Sequence, residues 1–185
     1  MKILAISGSL RRDSYNTKLL RAAEELLPAN VDFVLYQGVK EVPPYDEEDD
    51  VQPAPMAVAA LRSAVREADA VLFSTPEYNS SIPGSLKNAI DWVSRPVATN
   101  PLRNKPVAVV GASTGAFGAV WAQAELRKVL AAVGARVVDG EVAVGHAPTR
   151  FDENGRLEDE SLQEQLQETL EALLAEVGTR ALVLA

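Results

Sequence analysis

Lys2-Ile-Leu-Ala-Ile-Ser-Gly-Ser-Leu-Arg-Arg-Asp-Ser-Tyr-Asn-Thr-Lys18 begins as one kind of structure and ends as another. Residues 2–7 form a short, continuous apolar run, which suits a strand buried on both faces. A helical pattern starts near Asn16 and runs to Leu27. Between them lie hydroxyls, an amide and two arginines, with Asp13 as the lone acid. A buried strand that leads through a polar turn into a helix is the first half of a βαβ unit, because parallel strands need a crossover.

The rest of the chain repeats this pattern. Apolar runs recur at Val31 to Tyr36, Ala70 to Ser74 and Pro106 to Gly111, and less cleanly at Ala135 to Val138 with Val142 to Val144, which predicts five strands. Helix-length segments lie between them at Asn16 to Leu27, Ala54 to Glu67, Pro83 to Ser94 and Gly118 to Val133. A last one runs from Asp159 to Val177, where Leu162, Leu166, Leu170, Leu173 and Leu174 share one helical face. Strict alternation implies an α/β fold of three layers, a five-stranded parallel sheet between helices. Sites in such sheets lie at the carboxyl ends of the strands, where crossovers diverge. The proline- and acid-rich stretch Val42 to Pro55 reads as a solvated surface connection, as does Arg150 to Asp159. Residues 1–185 are expected to form one domain.

Composition narrows the chemistry. The chain has 18 Lys and Arg against 26 Asp and Glu, a net charge of −8, which disfavours a general grip on nucleic acid or anionic lipid. Cysteine is absent, so there is no thiolate nucleophile and no Cys-ligated metal or cluster. No metal site is expected, since the acid run Asp46 to Asp50 has no ordered ligand spacing. The apolar piece Ile3 to Ile6 is too short for a signal segment or membrane span, which makes a cytoplasmic protein the expectation.

The opening loop suits a phosphate. Ser7, Ser9, Ser14, Asn16 and Thr17 offer hydroxyls and an amide, Arg11 and Arg12 offer charge, and the free N–H groups of the next helix point the same way. A plainer reading makes Ser14 or Asn16 a simple N-cap. The dinucleotide fingerprint G-x-G-x-x-G is missing, and the second strand ends Leu35-Tyr36-Gln37 without a ribose-binding acid. No Walker sequence occurs, and a phosphatase loop would need a cysteine. What remains is a loop that holds a phosphate and leaves it intact, and FMN is the cofactor that fits.

Two further loops follow strand ends: Thr75-Pro-Glu-Tyr-Asn-Ser-Ser-Ile-Pro-Gly84 and Gly111-Ala-Ser-Thr-Gly-Ala-Phe-Gly118. A flavin ring needs apolar contact on its face and backbone hydrogen bonds at its pyrimidine edge. Tyr78, Ile82 and Pro83 can supply the first, and the backbone around Glu77, Asn79 and Ser113 to Gly115 the second. Glycines 111, 115 and 118 are expected to let the chain pass close to the ring.

Gly8-Ser-Leu-Arg-Arg-Asp-Ser-Tyr-Asn16, Pro76-Glu-Tyr-Asn-Ser-Ser-Ile-Pro-Gly-Ser-Leu-Lys-Asn-Ala-Ile-Asp-Trp92 and Gly111-Ala-Ser-Thr-Gly115 together resemble the NADPH-dependent FMN reductase family, over residues 1 to about 145. The resemblance implies a flavodoxin-like fold with strand order 2-1-3-4-5. It implies that Ser9, Arg11, Ser14 and Asn16 hold the FMN phosphate, with Thr17 in the same cofactor set. Pro76, Glu77, Tyr78, Asn79 and Ile82 would line the flavin, with Ser113 and Gly115 near its pyrimidine end. The implied reaction is ping-pong: NADPH or NADH reduces FMN, whose N5 takes the hydride, and a flavin, quinone, chromate or azo acceptor reoxidises it. Homodimers or homotetramers, with Lys87, Asp91 and Trp92 in packing or assembly, are implied as well. Trp121, where relatives often carry arginine, and Thr114-Gly-Ala, where Pro-Gly-Gly is common, depart from the pattern.

No protein group is assigned as the catalyst, although Tyr78 carries a hydroxyl able to protonate a reduced quinone. His146, the sole histidine, reads as a loop residue. Arg12, Arg95 and Arg103 are the candidates for a 2′-phosphate contact. The competing readings are a flavodoxin-type electron carrier and a module that senses NAD(P)H or flavin. The arginine-bearing loop and an aromatic fraction of 5% argue against the carrier.

Overall fold

The computed structural model describes residues 1–184, with side chains through Thr179. Strands β1 (Lys2–Ser7), β2 (Asp32–Tyr36), β3 (Ala70–Thr75) and β4 (Pro106–Ala112) fall on the apolar runs. Helices α1 (Tyr15–Leu26), α2 (Met56–Glu67) and α3 (Gly84–Val93) connect them in turn. After β4 come α4 (Val120–Ala132), β5 (Arg136–Val137), β6 (Ala143–Val144) and α5 (Glu160–Leu184). The sheet order is β2-β1-β3-β4-β5, with β6 also on β4, and every pairing between these strands is parallel.

Side-chain alternation explains why the strands read as unbroken apolar runs. Leu4 and Ile6 of β1, Val71 and Phe73 of β3, and Val107 and Val109 of β4 pack with Leu61, Leu86, Trp92 and Leu126 of α2, α3 and α4. The intervening residues Ile3, Ala5, Ala70, Leu72, Ala108 and Val110 pack on the other face, under Leu19 and Leu20 of α1 and Leu166, Leu170 and Leu173 of α5. Neither face is left for water.

The predicted fifth strand is two short strands. Val107 is opposite Val137 and Gly111 is opposite Ala143, so four steps along β4 are matched by six along its partner. Asp139, Gly140 and Glu141 therefore bow out of the edge, with Gly140 at φ 142°. Arg127 of α4 donates to the Val109 carbonyl at 2.8 Å inside this gap. Burial pulls its guanidinium below its ordinary pKa, and Glu141 and Asp139 oppose that shift.

The acid-rich connection is likewise not wholly solvated. Asp50 pairs at 2.9 Å with Arg62, which is 7% exposed and also donates to the Trp92 carbonyl. Trp92 Nε1 donates to the Pro43 carbonyl, and the Asn88 amide bonds the Tyr45 N–H and the Pro43 carbonyl. Asn88 and Trp92 on α3 thus anchor the connection between β2 and α2, while Lys87 and Asp91 form a surface ion pair.

Candidate functional site

Three loops converge at the carboxyl ends of β1, β3 and β4, and each is built differently. In the β1–α1 loop, Gly8 N–H donates to the Ser74 carbonyl, Ser9 N–H to Ser7 Oγ, and Thr17 Oγ1 to Ser7 Oγ. Ser14 is the N-cap of α1 and accepts from Asn16 N–H at 3.2 Å. Among the described residues, the first-turn N–H groups of Tyr15 and Thr17 have no acceptor, as helix geometry dictates. With the Ser9 and Ser14 hydroxyls and the exposed Arg11, they give one end of α1 a surplus of donors. A helix N-terminus of this kind favours an anion.

Asn16 is a strut more than a ligand. Its Oδ1 accepts from Ser74 Oγ at 2.8 Å and Ala112 N–H at 3.0 Å, and its Nδ2 donates to the Ala112 carbonyl at 2.9 Å. One buried amide therefore fastens α1 to the ends of both β3 and β4, so the side chain expected among the phosphate ligands spends its polar atoms on the strands while lining the cleft.

In the β3–α3 loop, Tyr78 and Ser81 exchange backbone hydrogen bonds around Asn79 (φ 54°) and Ser80 (φ 58°), the geometry of a type I′ hairpin turn. The turn presents Tyr78, which is 53% exposed. Ile82, expected beside the ring, is buried in the core with α3 and does not line the cleft. Glu77 Oε2 accepts from Trp121 and Ala122 N–H, both at 3.1 Å. The N-cap of α4 is Ala119, which has no capping side chain, and the Glu77 carboxylate supplies that function from another loop.

The β4–α4 loop is stapled to the chain leaving β6. Ser113 N–H donates to Val144, His146 N–H to Gly115 and Ala147 N–H to Ser113. A Cβ on Gly118 (φ 57°) would overlap the Ala143 backbone, and one on Gly145 would overlap the Ala116 carbonyl. Gly111 is confined by Gln123 and the Thr75 carbonyl. Of the three glycines expected to admit a ring, only Gly115 is open, with Ser113 Oγ its nearest neighbour at 3.7 Å.

The loops enclose a cleft of about 250 Å³ lined by Ser9, Arg11, Ser14, Asn16, Pro76, Glu77, Tyr78 and Ser113, together with Tyr15, Ala112 and Thr114. Thr17, Asn79, Ile82 and Gly115 do not line it. Sequence reading missed Tyr15, whose signal is an aromatic directly after the N-cap. Its ring sits 5.6 Å from the Arg11 guanidinium and 5.7 Å from Phe151. The donor set fits the phosphate of a mononucleotide, because the one carboxylate in the lining, Glu77, is already engaged by α4.

Of the arginines considered for a second phosphate, only Arg12 is at this end of the sheet. Arg95 follows the far end of α3 and Arg103 precedes β4, both at the amino-terminal edge. His146 is exposed and holds the β4–α4 loop through its backbone. Trp121, 49% exposed, packs edge-on at 5.0 Å against Phe117, beside the cleft.

Comparison with known proteins agrees with this architecture. The family model for NADPH-dependent FMN reductase matches residues 1–149. An NAD(P)H-dependent FMN reductase of Pseudomonas aeruginosa is 43% identical, over 94% of this chain and 93% of its own. A 2-hydroxy-1,4-benzoquinone reductase of a Burkholderia species is 36% identical over 97% and 98%. Among solved structures, FerB, a flavoenzyme NAD(P)H:(acceptor) oxidoreductase of Paracoccus denitrificans, superposes with a TM-score of 0.84 at 34% identity, covering 96% of this chain and 97% of that one. The chain belongs to the NADPH-dependent FMN reductase family.

Proposed function

We propose that this protein is an FMN-dependent NAD(P)H oxidoreductase that passes electrons to small acceptors, with quinones as the class its relatives favour. The observation that carries the reading is the donor-rich cradle at the start of α1, set in a chain without a thiol nucleophile. Bound FMN would supply the redox chemistry, taking a hydride from the nicotinamide and returning electrons to the acceptor.

The chain's own groups have simpler tasks. Ser9, Arg11, Ser14 and the N–H group of Tyr15 hold the phosphate. Asn16 fixes the spacing of the three loops, so the phosphate site and the ring site keep one geometry. Pro76 and Tyr78 border the ring, with Ser113 and Thr114 lining the opposite wall of the cleft. Tyr78 can also donate a proton to a reduced quinone oxygen. Glu77 holds the β3–α3 loop against α4.

Tyr78 in the cleft lining and the exposed Phe117–Trp121 ring pair offer apolar surface that a second copy of the chain would cover, consistent with a homodimer or homotetramer. No helix among the described residues is long and apolar enough to cross a membrane. A cytoplasmic location fits that reading.

Anaerobic titration of the FMN-loaded protein with NADPH and then NADH tests the proposal. Bleaching of the flavin band, reversed by a benzoquinone, is the expected result. Binding of FMN without bleaching by either nucleotide would instead favour an electron carrier or sensor.

A further inference from the structure

On the other side of the β1–α1 loop lies a second cleft of about 390 Å³, which shares Ser9 and Arg11 with the first as a common wall. Four cations border it, Arg11, Arg12, Arg21 and Lys40, against one carboxylate, Glu41. Leu35 and Tyr36 from the end of β2, together with Val39, give it an apolar lining. So dense a cluster of positive charge is unusual in a chain of net charge −8.

A neighbouring groove shows that the charge in this cleft is left open. That groove, about 750 Å³ between α1 and the turn at residues 153–156, also borrows Arg12 and Arg21. There Lys18 pairs with Asp13 at 2.9 Å, Arg156 approaches Glu25 at 4.0 Å, and Glu153 adds a third acid. In the 390 Å³ cleft, Arg11, Arg12 and Lys40 have no carboxylate within 4.0 Å among the described residues, and Arg21 has only an exposed contact to Glu24 at 3.6 Å. Among the described residues, its positive charge is only partly answered, by Glu41 in the lining and by the exposed Glu24 beside Arg21. Burial, followed by the charge of Glu41, raises the pKa of Tyr36, so its hydroxyl stays a neutral donor.

Position adds chemistry to charge. The cleft lies where β2 ends beside a phosphate-binding turn at the end of β1, which is where dinucleotide-binding sheets seat the adenosine ribose. In those sheets an acid at the end of β2 selects a free 2′-hydroxyl, whereas an arginine accepts a 2′-phosphate. Here the strand runs into neutral Gln37, with Lys40 and Arg12 beside it.

We propose that this cleft is an adenosine-phosphate subsite, in which Arg12, Arg21 and Lys40 hold the phosphate and Leu35, Tyr36 and Val39 take the purine. Its volume is within the range of small-ligand pockets, about 300–1,000 Å³. The inference rests on the FMN reading for what occupies the far side of the shared wall. Two ligands carry the required group: the adenylate half of FAD, whose flavin half would use the β1–α1 loop, and the 2′-phosphorylated adenosine of NADPH.

The test begins with FMN-saturated protein, titrated by calorimetry with AMP and with adenosine 2′,5′-bisphosphate, followed by FAD titration of FMN-free protein. Saturable binding of at least one adenosine phosphate is expected, weakened about tenfold or more in Lys40→Glu and in Arg12→Glu, while FMN affinity stays within about twofold in Lys40→Glu, which lies outside the FMN cleft. Tighter binding of the bisphosphate than of AMP identifies the NADPH end. FAD affinity above that of FMN, lost in the same variants, identifies the FAD half. Absence of adenosine-phosphate binding by protein that still takes up FMN overturns the subsite alone, as does binding that both charge reversals leave unchanged. Failure to take up FMN overturns the reading on which it rests, and is seen before any adenosine phosphate is added.

Discussion

The β1–α1 and β4–α4 loops look alike on paper, two glycine- and serine-bearing turns that each carry a strand into a helix. In the structure they are opposites. The β1–α1 loop lines a cleft with Ser9, Arg11 and Ser14 and leaves first-turn N–H groups unbonded, whereas the β4–α4 loop bonds its backbone to the exit of β6 and keeps little open beyond Gly115. One region keeps donors for a ligand, and the other gives a fixed wall for that ligand to rest on. A site that must orient a flat cofactor needs both.

The largest effect that separates the two is on stability. Gly118→Ala would force a Cβ against the Ala143 backbone at φ 57°, and should cost about 3 kcal/mol in chemical denaturation. Gly115→Ala, a few residues away, should stay within about 0.5 kcal/mol because its Cβ would meet only Ser113 Oγ, at an ordinary contact distance of 3.7 Å. Equal losses would erase the contrast within the loop. Next comes Asn16→Ala, which strands the Ala112 backbone groups and the Ser74 hydroxyl; about 2–3 kcal/mol of stability is expected to go, with looser FMN binding, measured by denaturation and flavin fluorescence.

Arg11→Ala reverses the pattern. FMN affinity should fall roughly ten- to hundredfold with stability unchanged, because the side chain is exposed and has no carboxylate partner among the described residues. A loss of stability without a loss of affinity would make Arg11 structural. The smallest loss among the side-chain replacements is expected from Glu77→Gln, which keeps an acceptor but removes the charge from the start of α4. About 0.5–1 kcal/mol should be lost, read as a shift in the denaturation midpoint.

Much of the fold was legible because its strands are buried on both faces, so that Ile3 to Ile6 and Val107 to Val110 needed no alternation to be recognised. The last strand was not, since its interruption depends on Gly140 and on Arg127 reaching in from α4. The site divides in the same way. Ser9, Arg11, Ser14 and Tyr78 are where local spacing puts them, on loops directly after strands. Asn16 as a strut, Glu77 as a helix cap, Ile82 as core and Gly118 as a close approach all depend on segments far away in sequence. A single chain read in order carries no signal for such contacts.

The central claim is that the β1–α1 loop recognises a phosphate and that the other two loops receive the ring attached to it. Fluorescence titration of the flavin-free protein with FMN and with riboflavin tests this most directly, since the two differ only in the phosphate. The account predicts one FMN per chain, bound about a hundredfold or more tighter than riboflavin, as two or more charge-assisted hydrogen bonds require. Equal affinities for FMN and riboflavin would contradict it.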